Sequence, residues 1–164
     1  MPPIASTCRC PSAATGKRYR AKVSDCIFCA IAAGETAAHL VRTDDQTVAF
    51  LDARPVFKGH VLVIPRAHHA TLADLPDDLL EPFFGAVRLI SAALPAALGA
   101  QGTFVAVNNV VSQSVPHLHG HVVPRTKGDG LRGFFWPRHR YADDAEATAY
   151  ASRIRAALEQ EPGA

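Results

Sequence analysis

Ser112-Gln-Ser-Val-Pro-His-Leu-His-Gly-His-Val-Val-Pro-Arg125 is the stretch on which the reading of this chain turns. His117, His119 and His121 recur at every second position between Pro116 and Pro124. Side chains of a β-strand alternate between its faces, so a strand over Val115–Pro124 lines up all three imidazoles on one face, roughly 6–7 Å from one to the next. Leu118 and Val122 then point the other way, into a core. Imidazole is the side chain best suited to act as nucleophile, acid or base near neutral pH. Three in register on an apolar strand point to reaction at phosphate, or to metal binding, rather than to a purely structural task.

The segments around this strand set the fold class. Gly59 opens His60-Val-Leu-Val-Ile-Pro65, a continuous apolar run suited to a strand buried on both faces. Leu40–Arg42 and Thr47–Leu51 are short β-rich runs joined by the hairpin signal Asp44-Asp45-Gln46. Thr103–Asn108 predicts a further strand. Cys26 to Ala33 reads as a short helix or turn ended by Gly34. Leu79, Leu80, Phe83, Phe84, Val87, Ile90 and Leu94 recur at helical spacing after the start signals Pro76, Asp77 and Asp78. Pro82 falls early enough to be tolerated, and Pro95 is expected to end or kink this helix. A last helix is expected from about Asp144 to Glu159. Short turns between strands, with the long helix inserted late, predict an α+β fold. It has about five antiparallel strands, one long helix and one or two shorter ones.

The 164 residues, 48% hydrophobic and 20% charged, suit a single domain with an ordinary core. A net charge of +2, with Lys and Arg scattered, gives no reason to expect nucleic acid or a membrane as partner. No stretch approaches the roughly 18 uninterrupted apolar residues of a membrane span. No apolar run of about 7–15 residues before Asp25 marks a secretory signal. Cys8, Cys10, Cys26 and Cys29 all fall in the first 29 residues, where disulfides would staple little of the domain. A cytoplasmic location with thiols free for metal follows. Residues 1–22, rich in Pro, Ser, Ala and Thr, are expected to form a disordered tail. Residues 23–130 form the domain, and residues 131–164 a loop and helix packed on it. The glycines and aromatics of Gly128–Pro137 suggest an ordered loop near the site or at a dimer partner, with Trp136 covering the ligand.

The histidine segment closely resembles the signature of the histidine-triad (HIT) superfamily, in which three histidines alternate with apolar residues. Further matches follow in order: Cys26-Ile-Phe-Cys29, Ala49-Phe-Leu-Asp52, Gly59-His-Val-Leu-Val-Ile-Pro-Arg-Ala-His68 and Val107-Asn-Asn109. Histidine at position 121, where the galactose-1-phosphate uridylyltransferases have glutamine, is similar to the hydrolase branches. Gly120 departs from the pattern by occupying an apolar position, which puts local packing in question more than chemistry.

The resemblance implies a nucleotidyl hydrolase or transferase acting at the α-phosphate of a nucleoside phosphoramidate or dinucleoside polyphosphate. His119 is the implied nucleophile, forming a nucleotidyl-histidine intermediate; His121, Ser114 and His117 assist, and Gln113 helps to position them. Asp52 is implied to bind ribose hydroxyls, with Asn108 near ribose and phosphate. Ile27, Phe28, Ile31 and Leu51 are implied to line a purine-base pocket. Some bacterial members complete a structural Zn²⁺ site with two cysteines and two histidines, here Cys26, Cys29, His68 and His117; no organic cofactor is implied. Homodimers occur among family members, and the Leu79–Leu94 face is compatible with one. Other readings stay open: phosphate instead of water as acceptor, a catalytic zinc held by the triad, a nucleotide-binding protein with little turnover, or a pair of free buried cysteines.

Overall fold

The computed structural model describes residues 26–131 and 141–158. The expected tail over residues 1–22, the Cys8/Cys10 pair and Trp136 lie outside them. The chain divides into two units after Lys127. The first contains α1 (Ile27–Ala32), β1 (Leu40–Thr43), β2 (Thr47–Leu51), β3 (Val61–Pro65), a 3-10 turn at Leu72–Asp74, α2 (Asp77–Leu98), β4 (Gly102–Val107) and β5 (Gly120–Arg125). The second carries α3 (Asp144–Leu158), where the Glu146 backbone N–H donates to the Asp143 carboxylate at 2.8 Å.

The five strands pair in the order β1-β2-β3-β5-β4, and every pairing is antiparallel. Asp44 shapes the β1–β2 turn by accepting the backbone N–H of Gln46 at 2.9 Å and of Thr47 at 2.7 Å. Alternation along the strands then divides the apolar residues between two faces. Ala49, Val61, Val63, Leu118 and Val122 pack with Phe83, Ala86, Val87, Ile90 and Leu94 of α2. Val48, Phe50, Leu62 and Ile64 pack on the opposite face with Cys26 and Phe28. β2 and β3 are therefore sandwiched, as the unbroken apolar run at Val61–Pro65 requires.

α2 has the length and composition to cross a membrane, a property its interspersed charges hide from a count of uninterrupted apolar residues. One face of it is nevertheless core. Pro95 does not end it: the helix runs on to Leu98 and stops at Gly99, whose φ of +67° reverses the backbone. Proline removes the N–H that would reach the carbonyl of Ser91. Burial of Leu94 and the 2.5 Å hydrogen bond between the Ser91 and Thr103 hydroxyls hold this last turn in place.

The strand expected over Val115–Pro124 is shorter and begins at Gly120. Ahead of it, the His117 N–H turns back to the Val115 carbonyl at 2.8 Å, and the Leu118 N–H donates to the His69 carbonyl at 2.6 Å. Pro116, without an N–H, adds nothing to a ladder. Only His121 of the three histidines lies in regular strand.

Gly120 faces α2. A Cβ built there would stand 3.1 Å from Val87 Cγ2 and 3.4 Å from Phe83 Cζ. The missing side chain is thus replaced by helix side chains that fill its space. Gly120→Val is expected to lower the unfolding free energy by about 1–3 kcal/mol, the usual cost of overpacking. Urea denaturation checks this as a lower midpoint at unchanged slope; an unchanged midpoint would show that α2 yields freely.

Candidate active site

α1 is a six-residue helix too short to stand alone. It is held by Arg66 at the end of β3, whose guanidinium donates to the carbonyls of Ala32 at 2.7 Å and Asp44 at 2.6 Å and to the Thr43 hydroxyl at 2.5 Å. Phe28 anchors it below, edge-on to Phe50 with ring centroids 5.4 Å apart. These contacts fix Cys26 and Cys29 against the histidine segment.

His117 is fully buried and donates Nε2–H to the Pro65 carbonyl at 2.9 Å, since a carbonyl only accepts. Its Nδ1 therefore keeps a lone pair, which lies 3.5 Å from the Sγ of both Cys26 and Cys29. His68 Nδ1 is 3.3 Å from Cys29 Sγ, and all four donor atoms lie within 4.8 Å of one another. Tetrahedral zinc with sulfur at about 2.3 Å and nitrogen at about 2.0–2.1 Å sets neighbouring donors roughly 3.6 Å apart. The donor set and its spacing fit that ion. Burial pushes His117 down to about 4, which keeps the imidazole neutral as a metal ligand must be. Burial and the neighbouring Cys26 thiol push Cys29 up to about 11, the opposite of a reactive dithiol.

His119 donates Nδ1–H to the His117 carbonyl at 2.6 Å. Its proton is thereby committed, and Nε2 presents a lone pair. Phe28 stands edge-on at 5.3 Å and His121 at 4.9 Å between ring centroids. The three imidazoles expected on one strand face divide: His117 lies on the cysteine side, while His119 and His121 line a cleft of about 560 Å³. Ile27, Phe28, Ile31, Leu51, Asp52 and Ser114 line it too. A cleft of this volume, lined mainly by apolar side chains with a few polar ones, suits a ligand of nucleotide size. Among the described residues the buried Nε2 of His121 has no hydrogen-bond partner, an expensive state for a polar atom unless a ligand meets it.

Asn108 and Gln113 are not among the lining residues. The Gln113 amide works on the backbone, accepting the Val110 N–H at 2.8 Å and donating to the Ala70 carbonyl at 2.6 Å. It thereby braces a loop in which Val110 and Ser112 hold positive φ angles of 67° and 61°. Asn108 donates weakly, at 3.5 Å, to the Ser112 carbonyl of the same loop.

A family model described as the HIT domain matches residues 33–128. The chain belongs to the HIT family. It is similar to adenylylsulfatase HINT3 of Arabidopsis thaliana, 33% identical over 158 residues that span 92% of this chain and 78% of that one. It is also similar to adenosine 5′-monophosphoramidase HNT1 of Candida albicans, 32% identical over 133 residues, 77% and 83% of the two chains. Among solved structures, a zinc-bound histidine triad family protein from Mycobacterium smegmatis matches with a TM-score of 0.64 at 31% identity, over 83% of this chain and 99% of that one.

The HIT site also contains a residue to which the sequence assigned no task. His60 is 2% exposed and sits 3.0 Å, Nε2 to Nδ1, from His121. The signal was in the strand parity: His60 shares a face with Leu62 and Ile64, the face on which His121 lies opposite Leu62. Arg54 and Phe50 join the cleft as well.

Burial, reinforced by His119 and His60, pushes His121 from its ordinary 6.5 down to about 4. Between these values the unfolded chain takes up a proton that the folded chain refuses. The stabilising contribution is therefore complete above pH 6.5 and is lost as the pH falls toward 4. His121→Asn removes the group, so the stability gap between wild type and variant should narrow across that window in denaturant titrations. A pH-independent gap would show that His121 titrates normally in the folded HIT domain.

Proposed function

We propose that this chain is a nucleotide hydrolase acting at the α-phosphate of a purine nucleotide, with a nucleotidyl intermediate on His119. The observation that carries this reading is the 2.6 Å bond from His119 Nδ1–H to the His117 carbonyl, which leaves Nε2 as a lone pair in the cleft. That lone pair attacks phosphorus and forms a P–N bond, while the bond to the leaving group breaks and its electron pair departs with that group. Water then cleaves the P–N bond and frees the nucleoside monophosphate. Splitting one displacement into two is what covalent catalysis contributes.

The other lining residues supply recognition. His121 Nε2 and the Ser114 hydroxyl serve the phosphate oxygens, Asp52 accepts from the ribose diol, and Ile27, Phe28, Ile31 and Leu51 hold the base. The names of two relatives, an adenylylsulfatase and an adenosine 5′-monophosphoramidase, support a phosphoramidate or a mixed anhydride of an adenylate as substrate. A dinucleoside polyphosphate is compatible with the same α-phosphorus chemistry.

Cys26, Cys29, His68 and His117 hold a structural Zn²⁺ in this reading. Zinc there ties α1 to the histidine segment and supplies rigidity, not activated water. The two groups of metal-competent donors among the described residues each contain one triad histidine, which speaks against a zinc ion held by the triad itself.

Incubation with adenosine 5′-phosphoramidate and rapid acid-free quench should show an AMP adduct on His119 by mass spectrometry. His119→Ala should lower turnover by about 10⁴-fold or more, as loss of a nucleophile does elsewhere. Full turnover in that variant would end the assignment.

The protein as isolated should contain about one zinc per chain by atomic emission. Cys29→Ser should lose most of the metal and unfold at a lower temperature. Metal-free wild-type protein with undiminished thermal stability would refute a structural role.

A further inference from the structure

His60 is a buried imidazole with both ring nitrogens engaged, on the sheet face that carries His121. Its Nε2 faces His121 Nδ1 at 3.0 Å. Its Nδ1 accepts the Val56 backbone N–H at 3.3 Å, and the Asp52 Oδ2 lies 3.3 Å from the same nitrogen. These two neighbours make opposite demands. An amide N–H needs a lone pair on Nδ1, whereas a carboxylate needs a proton there.

A neutral imidazole carries one proton, so the choice at His60 is passed to His121. With a lone pair on Nδ1, His60 donates Nε2–H to His121 Nδ1. The His121 proton then sits on its own Nε2. With Nδ1–H turned to Asp52, His60 Nε2 instead accepts from His121 Nδ1–H, and His121 Nε2 is left bare. That Nε2 is buried and has no partner among the described residues, in a residue that lines the cleft. As N–H it attracts a phosphate oxygen; as a lone pair it repels one.

We propose that Asp52, His60 and His121 form a tautomer relay through which occupancy of Asp52 by ribose hydroxyls prepares His121 to receive the phosphate. This rests on the nucleotide reading above. Asp52 Oδ1 already accepts the Arg54 N–H at 2.8 Å, so Oδ2, the oxygen beside His60, has the more acceptor capacity free for a hydroxyl. A hydroxyl donating there competes with His60 for that oxygen, weakens its long 3.3 Å hold on Nδ1 and shifts the balance to Val56.

The proton count does not change between the two settings. His121 passes its Nδ1 proton to His60 Nε2 across their shared hydrogen bond. His60 returns its Nδ1 proton to water, and His121 Nε2 takes one from water. His60 is a positioning residue in this scheme, since it acts only through His121. Asp52, His60 and His121 also lie close enough to share a metal ion. The facing nitrogens of the two rings, however, are engaged with each other at hydrogen-bond distance.

The test is ¹⁵N NMR of histidine-labelled full-length protein, in which protonated and bare ring nitrogens are resolved. Saturating AMP should shift His121 to the Nε2–H form, and 2′,3′-dideoxy-AMP should leave it as in the free protein. Two variants supply the control. In His60→Gln the amide oxygen takes the Val56 N–H and the NH₂ donates to His121, so Nε2–H should persist whichever nucleotide is bound. His60→Glu accepts from His121 Nδ1–H and should leave Nε2 bare throughout.

In turnover of the matching phosphoramidates, wild type should lose about tenfold in kcat without the diol, the worth of one hydrogen bond to a charged group. His60→Gln should keep the diol effect on KM and lose it on kcat. The same His121 form with both nucleotides, or kcat discrimination surviving in His60→Gln, overturns the relay alone. Failure of every nucleotide to bind overturns the nucleotide function and the relay together.

Discussion

The His117 carbonyl and ring connect almost everything in this molecule. The carbonyl can only accept, so the 2.6 Å bond from His119 leaves one possible proton position on that ring. The Pro65 carbonyl does the same for His117 itself. Two fixed backbone acceptors thereby sort the imidazoles into distinct tautomers without any change in pH. The bond to Pro65 depends on the end of β3 lying beside the segment ahead of β5, and therefore on the antiparallel pairing that places Val63 opposite Gly120, whereas the bond to the His117 carbonyl is local.

The sheet separates stability from chemistry. One face is closed by α2 with aliphatic and aromatic side chains. Among the described residues the other is covered by the short α1, and the cleft opens beside it. α1 does not have enough turns to hold its own position. Arg66, Phe28 and the cysteine–histidine cluster hold it from three sides. The metal-competent cluster thus lies directly behind the nucleophile candidate, with His117 belonging to both.

The fold class was legible because alternation and helical spacing are written in the apolar residues. The strands at Thr47–Leu51 and Val61–Pro65 and the helix from Asp77 declare themselves in this way. Of the two outcomes expected at Pro95, an end or a kink, the end does not occur, since the burial of Leu94 and the Ser91–Thr103 bond carry the last turn. The histidine strand misled. A period of two describes Gly120–Arg125, but the residues before it leave the ladder to reach His69 and the cysteines. Arg66 had no sequence-local signal for its task, and strand parity gave only the face of His60, because Ala32, Thr43, Asp44 and His121 are brought to these residues by other segments.

The sequence by itself determined the antiparallel α+β fold, the family, and the residue types of the site, because these follow from periodicity and from motifs carried within single segments. Tertiary structure decided which nitrogen of each imidazole is engaged and by what. A histidine's chemistry depends on which nitrogen holds the proton, and that is set by the acceptor or donor the folded backbone brings against each ring. His117 meets Pro65 and the cysteines, His119 meets the His117 carbonyl, and His121 meets His60. Three identical letters spaced by two hold none of that information.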